Sequence, residues 1–101
     1  MATVSQVIRV QPAPGKHEQC LEFGRKLRKI RERYGVKERL FQTQEGHLVV
    51  VIESQGWKQF GEYVAKLQDD PEARALLAQF RADPNPVGTI LDVEIVEEVL
   101  G

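Results

Sequence analysis

Five aliphatic residues in a row, Leu48-Val49-Val50-Val51-Ile52, form the longest apolar run in this 101-residue chain and place the first constraint on its fold. The run falls far short of the roughly 20 residues that a membrane-spanning helix needs. Its length and its β-branched content read as a strand, and a strand that is apolar at every position is covered on both faces. The segment Thr89 to Leu100 has the same character. Simple alternation puts Leu91, Val93 and Ile95 on one side of it and Ile90 and Val96 on the other. The chain must therefore build a sheet with helices over one face and something further over the second.

The remaining pattern supplies the helices. Thr3 to Gln11 alternates as a strand and ends at Pro12-Ala13-Pro14-Gly15, where proline cannot donate to a ladder. From Lys16 to Tyr34 the apolar positions Cys20, Phe23, Leu27, Ile30 and Tyr34 recur in steps of three and four, a helical period closed by Gly35. Val36 to Gln44 and His47 to Ser54 form two strands joined by a hairpin at Glu45-Gly46. Trp57, Phe60, Val64 and Leu67 mark a second helix. Asp70-Pro71 restarts it, with aspartate as cap and proline at the first helical position, and Asp83-Pro84-Asn85-Pro86 stops it. The order β-α-β-β-α-β predicts one domain, residues 1–101, with a ferredoxin-like split βαβ fold: an antiparallel sheet with its helices on one face. The apolar second face predicts a homodimer closed sheet to sheet, with Val49, Val51, Ile90 and Val96 at the interface.

Three stretches carry a family resemblance. Val10-Gln11-Pro12-Ala13-Pro14-Gly15-Lys16 resembles the strand end that leads into the first helix of dimeric α/β-barrel proteins. Ser54-Gln55-Gly56-Trp57 and Leu67-Gln68-Asp69-Asp70-Pro71-Glu72 are similar to that superfamily's second-helix start and its Asp-Pro-Glu break. The resemblance spans essentially the whole chain and includes antibiotic-biosynthesis-monooxygenase-like and NIPSNAP-like small proteins, many of unknown function. It implies an α/β barrel made by two copies, and relatives with cofactor-free monooxygenase or cyclase activity. It does not carry a haem site over: no His follows His47, and Asn85 is the chain's one Asn. Of the Asn–Trp pair used by some quinone-forming relatives, Trp57 alone has a counterpart.

Candidate site residues follow from the mixed polar and apolar face of the predicted strands. Arg9, Arg39, Phe41, His47 and Glu53 fall there, with Arg9 expected to pair with Glu53 or Asp92. Trp57 either stacks on a ligand or anchors its helix start in the core. His47 stands at a strand end as a potential proton carrier, and Cys20 sits on the helical apolar stripe as a small hydrophobe. No set of residues identifies a catalytic acid, base or nucleophile. Neither a metal nor a cofactor is expected, because no ligand cluster, phosphate loop or Ser-His-Asp order is present.

Charge excludes other partners. Fourteen basic and fifteen acidic residues leave a net charge of -1, so no overall field draws the chain to nucleic acid or membrane. The basic run Arg25 to Arg33 belongs to a first half with ten basic and five acidic residues, and the second half reverses the balance with four and ten. RNA-recognition domains share this topology but stack bases on strand aromatics, and Thr3–Gln11 and His47–Ser54 contain none. One cysteine and the absence of a basic, apolar leader point to the cytoplasm. The sequence thus describes a homodimeric barrel protein that binds a small, partly apolar organic molecule, with turnover left open; a non-catalytic ligand-sensing or interaction module is the alternative.

Overall fold

The computed structural model describes residues 2–82 and 84–100. Strand β1 (Val4–Pro12) leads to helix α1 (His17–Glu32), and β2 (Lys37–Gln42) pairs with β3 (Leu48–Ser54). Helices α2 (Trp57–Asp69) and α3 (Pro71–Phe80) follow, and β4 (Gly88–Glu97) closes the sheet. The four strands lie in the order β2-β3-β1-β4, every neighbour antiparallel. This is the ferredoxin-like arrangement, with the helices on one face.

Local chemistry explains the breaks. The α2–α3 junction is extended at Asp70, whose carboxylate accepts from the Ala73 amide at 3.0 Å while Pro71 opens α3. Tyr34, just beyond α1, donates its hydroxyl to the same carboxylate, and Arg33 reaches Glu72 at 2.8 Å. The end of α1 is thus tied to the start of α3. Elsewhere α1 balances its charge along its own length, Arg25 with Glu22 and Arg28 with Glu32. Gly88 begins β4 because no side chain fits there: a Cβ would lie 2.8 Å from the Gln11 carbonyl oxygen and 3.1 Å from the Phe80 ring.

Side chains at alternate positions divide the sheet. Val4, Gln6, Ile8 and Val10 of β1 face the helices, together with Leu48, Val50 and Ile52 of β3 and Leu40 of β2. They pack on Cys20, Phe23, Leu27 and Ile30 of α1, on Phe60 and Tyr63 of α2, and on Leu76 and Phe80 of α3. Phe23 and Phe80 meet edge to face at 5.9 Å between ring centroids.

Strand β4 departs from simple alternation. Arg9 is opposite Asp92 while the next residue, Val10, is opposite Ile90, so Leu91 is an extra residue in the ladder. Such a bulge inverts the parity of everything before it. Ile90 therefore packs against the helix-side core with Val10, and its expected place at a dimer interface is corrected. Val49, Val51 and Val96 keep the opposite, helix-free face. The strand also ends at Glu97, leaving Val99 and Leu100 beyond it and exposed. No helix among the described residues is long and apolar enough to cross a membrane.

Candidate functional site

Four of the six sequence-predicted residues share one face of the sheet, and His47 and Trp57 lie apart from them. Arg9, Arg39, Phe41 and Glu53 lie on the helix-free face, since their positions match Val49 and Val51 in register. Arg39 pairs with Glu53 on the neighbouring strand and holds its guanidinium 5.8 Å from the centre of the Phe41 ring. Glu53 is thus engaged by Arg39, and Arg9 makes no ion pair with Glu53 or Asp92. His47 closes the hairpin, its amide donating to the Thr43 hydroxyl at 3.0 Å. Trp57 opens α2 half exposed and donates its indole N–H to Glu97 at 2.6 Å, so it neither anchors the core nor joins the other five.

A cavity of about 240 Å³ lies instead on the other side of the sheet, between its aliphatic face and the helices. Its floor is Ile8, Val10, Leu48 and Val50, and its far walls are α1 and α3. The space exists because of Gly24. The inner stripe of α1 reads Cys20, Phe23, Gly24, Leu27 and Arg31, and the missing side chain at 24 opens the middle of it. A Cβ built there would meet nothing nearer than the Leu40 methyl at 4.0 Å. Arg81 and Val93, the exposed members of the lining, mark the mouth between the end of α3 and β4.

Arg31 also lines the cavity, and is buried and donates to the equally buried Glu38 at 2.8 Å. A buried arginine needs such a partner, because an uncompensated charge there costs several kcal/mol, about 3–5 by the measured cost of breaking such pairs. The Tyr63 side chain packs beside Arg31, and neither the Arg31 Nε nor the Tyr63 hydroxyl is exposed. Burial pushes the Tyr63 hydroxyl up, opposed by the nearby Arg31 charge and by a hydrogen bond with Arg31. Burial also pushes the Cys20 thiol up, so this cavity residue is a neutral thiol near pH 7 and a poor nucleophile. The cavity is largely apolar and ring-sized. A comparable engineered apolar cavity of about 150 Å³ holds benzene.

The sequence reading did not anticipate this cavity because it assigned the aliphatic face to packing alone. Two signals were present: a glycine in the centre of the helical stripe, and charged residues at the inward positions 31 and 38.

The chain matches no protein-family model and no curated protein sequence. Proteins of known structure do share its fold. Rv0793 from Mycobacterium tuberculosis superimposes with a TM-score of 0.64 at 14% identity, covering 97% of this chain and 94% of that one. A candidate antibiotic biosynthesis monooxygenase from Chloroflexus aurantiacus J-10-fl gives 0.70 at 10% identity, with 98% and 95% covered. An uncharacterized NIPSNAP domain protein from Burkholderia xenovorans gives 0.70 at 16%, with 97% and 94% covered. The chain therefore has the ferredoxin-like fold of antibiotic-biosynthesis-monooxygenase-like and NIPSNAP-like proteins.

Proposed function

We propose that residues 1–101 form one domain that binds a small, largely apolar organic molecule in the cavity between sheet and helices, and that two copies pair through the helix-free face. The observation that carries the ligand reading is the cavity itself. It offers about 240 Å³ of largely apolar space, open at one side and lined by Phe23, Phe80 and the buried Arg31. Cofactor-independent oxygenation or cyclisation of the bound molecule is the second reading. The name of the Chloroflexus aurantiacus neighbour favours it, and the lining, which offers a neutral thiol and a guanidinium held by Glu38, supports binding better than turnover.

The pairing reading draws on the helix-free face. Phe41 is 49% and Val96 40% exposed there, with Val7, Val49 and Val51 between them. Charge supports one geometry. Lys37 and Arg39 occupy the β2 side of this face and Asp92 and Glu94 the β4 side. A two-fold axis parallel to the strands sets each β2 against the partner's β4, so opposite charges meet; an axis across the strands would set like against like.

Two measurements test the proposal. Titration calorimetry with tetralin should give binding that Gly24→Leu, whose side chain fills the cavity, abolishes. Sedimentation at micromolar concentration should give a dimer. Failure of tetralin to bind would remove the ligand reading, and a stable monomer would remove the pairing.

A further inference from the structure

We infer that Arg81, at the mouth of the cavity, selects a monocarboxylic acid: a molecule whose apolar body fills the space between sheet and helices while its carboxylate stays at the opening. The inference rests on the cavity reading above and adds to it the chemical class of the ligand.

The charge of the lining carries it. The polar side chains there are Gln6, Cys20, Arg31 and Arg81, with no aspartate or glutamate among them. Gln6 is uncharged, the Cys20 thiol is neutral, and the buried Glu38 takes up the charge of Arg31. Arg81 is different. It follows the last turn of α3, is exposed, and enters no ion pair among the described residues. The second half of the chain holds four basic residues against ten acidic, and one of those four stands at this mouth. Asp92 and Glu94 of the neighbouring β4 fall on the opposite, helix-free face. The lining as a whole thus carries a single uncompensated positive charge, placed where the cavity meets water.

Solvation then fixes how the acid lies. A carboxylate drawn deep among aliphatic side chains loses hydration that they do not replace. At the mouth it keeps water on one side and meets a guanidinium, whose parallel N–H groups match its two oxygens. The apolar body has the opposite preference, and Phe23, Leu27 and Phe80 offer it surface inside. One cation balances one negative charge, so a monocarboxylate fits better than a phosphate dianion. Size follows from the volume, which exceeds what benzene needs and suits two fused rings or a ring with a short extension.

The test compares three probes with one ring system by titration calorimetry: tetralin, 5,6,7,8-tetrahydro-2-naphthoate and 5,6,7,8-tetrahydro-2-naphthamide. Water holds the carboxylate more strongly than the amide, so a cavity without the anchor takes the amide better. The expected result for the wild-type protein in about 0.01 M salt is a carboxylate bound about threefold or more tighter than the amide, the scale of one accessible charge pair. Raising the salt to about 0.15 M shortens the screening length from about 30 Å to about 8 Å and should reduce that preference. Arg81→Gln should reverse it. Lys66→Gln, which removes an exposed lysine outside the lining, should keep it. An amide bound as tightly as the carboxylate by the wild-type protein, or a preference that salt does not touch, overturns the anchor. A preference that survives Arg81→Gln, or that Lys66→Gln abolishes equally, does the same. Tetralin bound in the same experiment marks that failure as the anchor's alone, whereas no binding by any of the three removes the cavity reading and the anchor with it. Each preference is a ratio within one protein, and the wild-type comparison decides the anchor whatever the variants' stability.

Discussion

Replacing Gly24 by alanine should stabilise the protein, and the size of the gain reports the space beside it. A glycine in a helix interior costs about 0.5–1 kcal/mol relative to alanine, because its unfolded backbone has more freedom to lose. Most buried helical glycines are kept by a neighbour that leaves no room for a methyl. Here the nearest atom to a Cβ at 24 is a Leu40 methyl at 4.0 Å, an ordinary contact distance. The new methyl adds apolar burial worth up to about 0.8 kcal/mol. A total near 1–1.5 kcal/mol corresponds to a rise in melting temperature of about 5–10 °C for a domain of this size. Gly61 supplies the control. It is exposed on α2 with no atom within 4 Å, so Gly61→Ala should gain the backbone part alone. Thermal unfolding followed by circular dichroism, at one fixed protein concentration because association shifts the midpoint, measures both. A Gly24→Ala protein less stable than wild type, beside a stabilised Gly61→Ala, would mean that the space at Gly24 is not there.

Three other outcomes follow from named contacts. Val51→Asp puts a charge in the middle of the helix-free face, opposite Val7 and Arg39, and should shift the sedimenting species from dimer to monomer, while the exposed Lys66→Asp should not. Tyr34→Phe removes the hydrogen bond that, with the Ala73 amide, holds the Asp70 carboxyl below its usual range. The stability this depressed group contributes is fully present above the unfolded carboxylate pKa of about 3.9 and is lost as pH falls from there through the folded value. Acid-unfolding curves of wild type and Tyr34→Phe should accordingly differ above about pH 4 and draw together below it. Arg31→Met alone leaves Glu38 buried and unpaired and should cost about 3–5 kcal/mol in urea unfolding, whereas Arg31→Met with Glu38→Leu should recover most of that loss.

What the sequence made legible was periodicity. Steps of three and four fixed the inner face of α1, and the Asp70-Pro71 pair marked the α2–α3 break because both residues act within one turn. The bulge at Leu91 was invisible for the opposite reason. It is a property of two paired backbones, and alternation within one strand carries no record of an extra residue on it. Ile90 changed faces as a result. Trp57 was underdetermined too: its helical position was clear, but its bond to Glu97 joins residues 40 apart through the end of β4.

The cavity went unread because of a rule that is sound on average. Uniformly aliphatic faces pack and mixed faces bind, so polar residues were sought where polar residues were many. In this fold the mixed face carries charges of both signs, and the aliphatic face opens where Gly24 leaves the inner stripe of α1 without a side chain. A charge is informative in proportion to how poorly its surroundings tolerate it. Arg39 and Glu53, near water, need no explanation beyond each other. Arg31 and Glu38 stand at inward positions where each would be prohibitive alone, and Arg31 lines the cavity. Weighing each polar residue by the expected burial of its position, rather than by the company of other polar residues, leads from the sequence to the cavity.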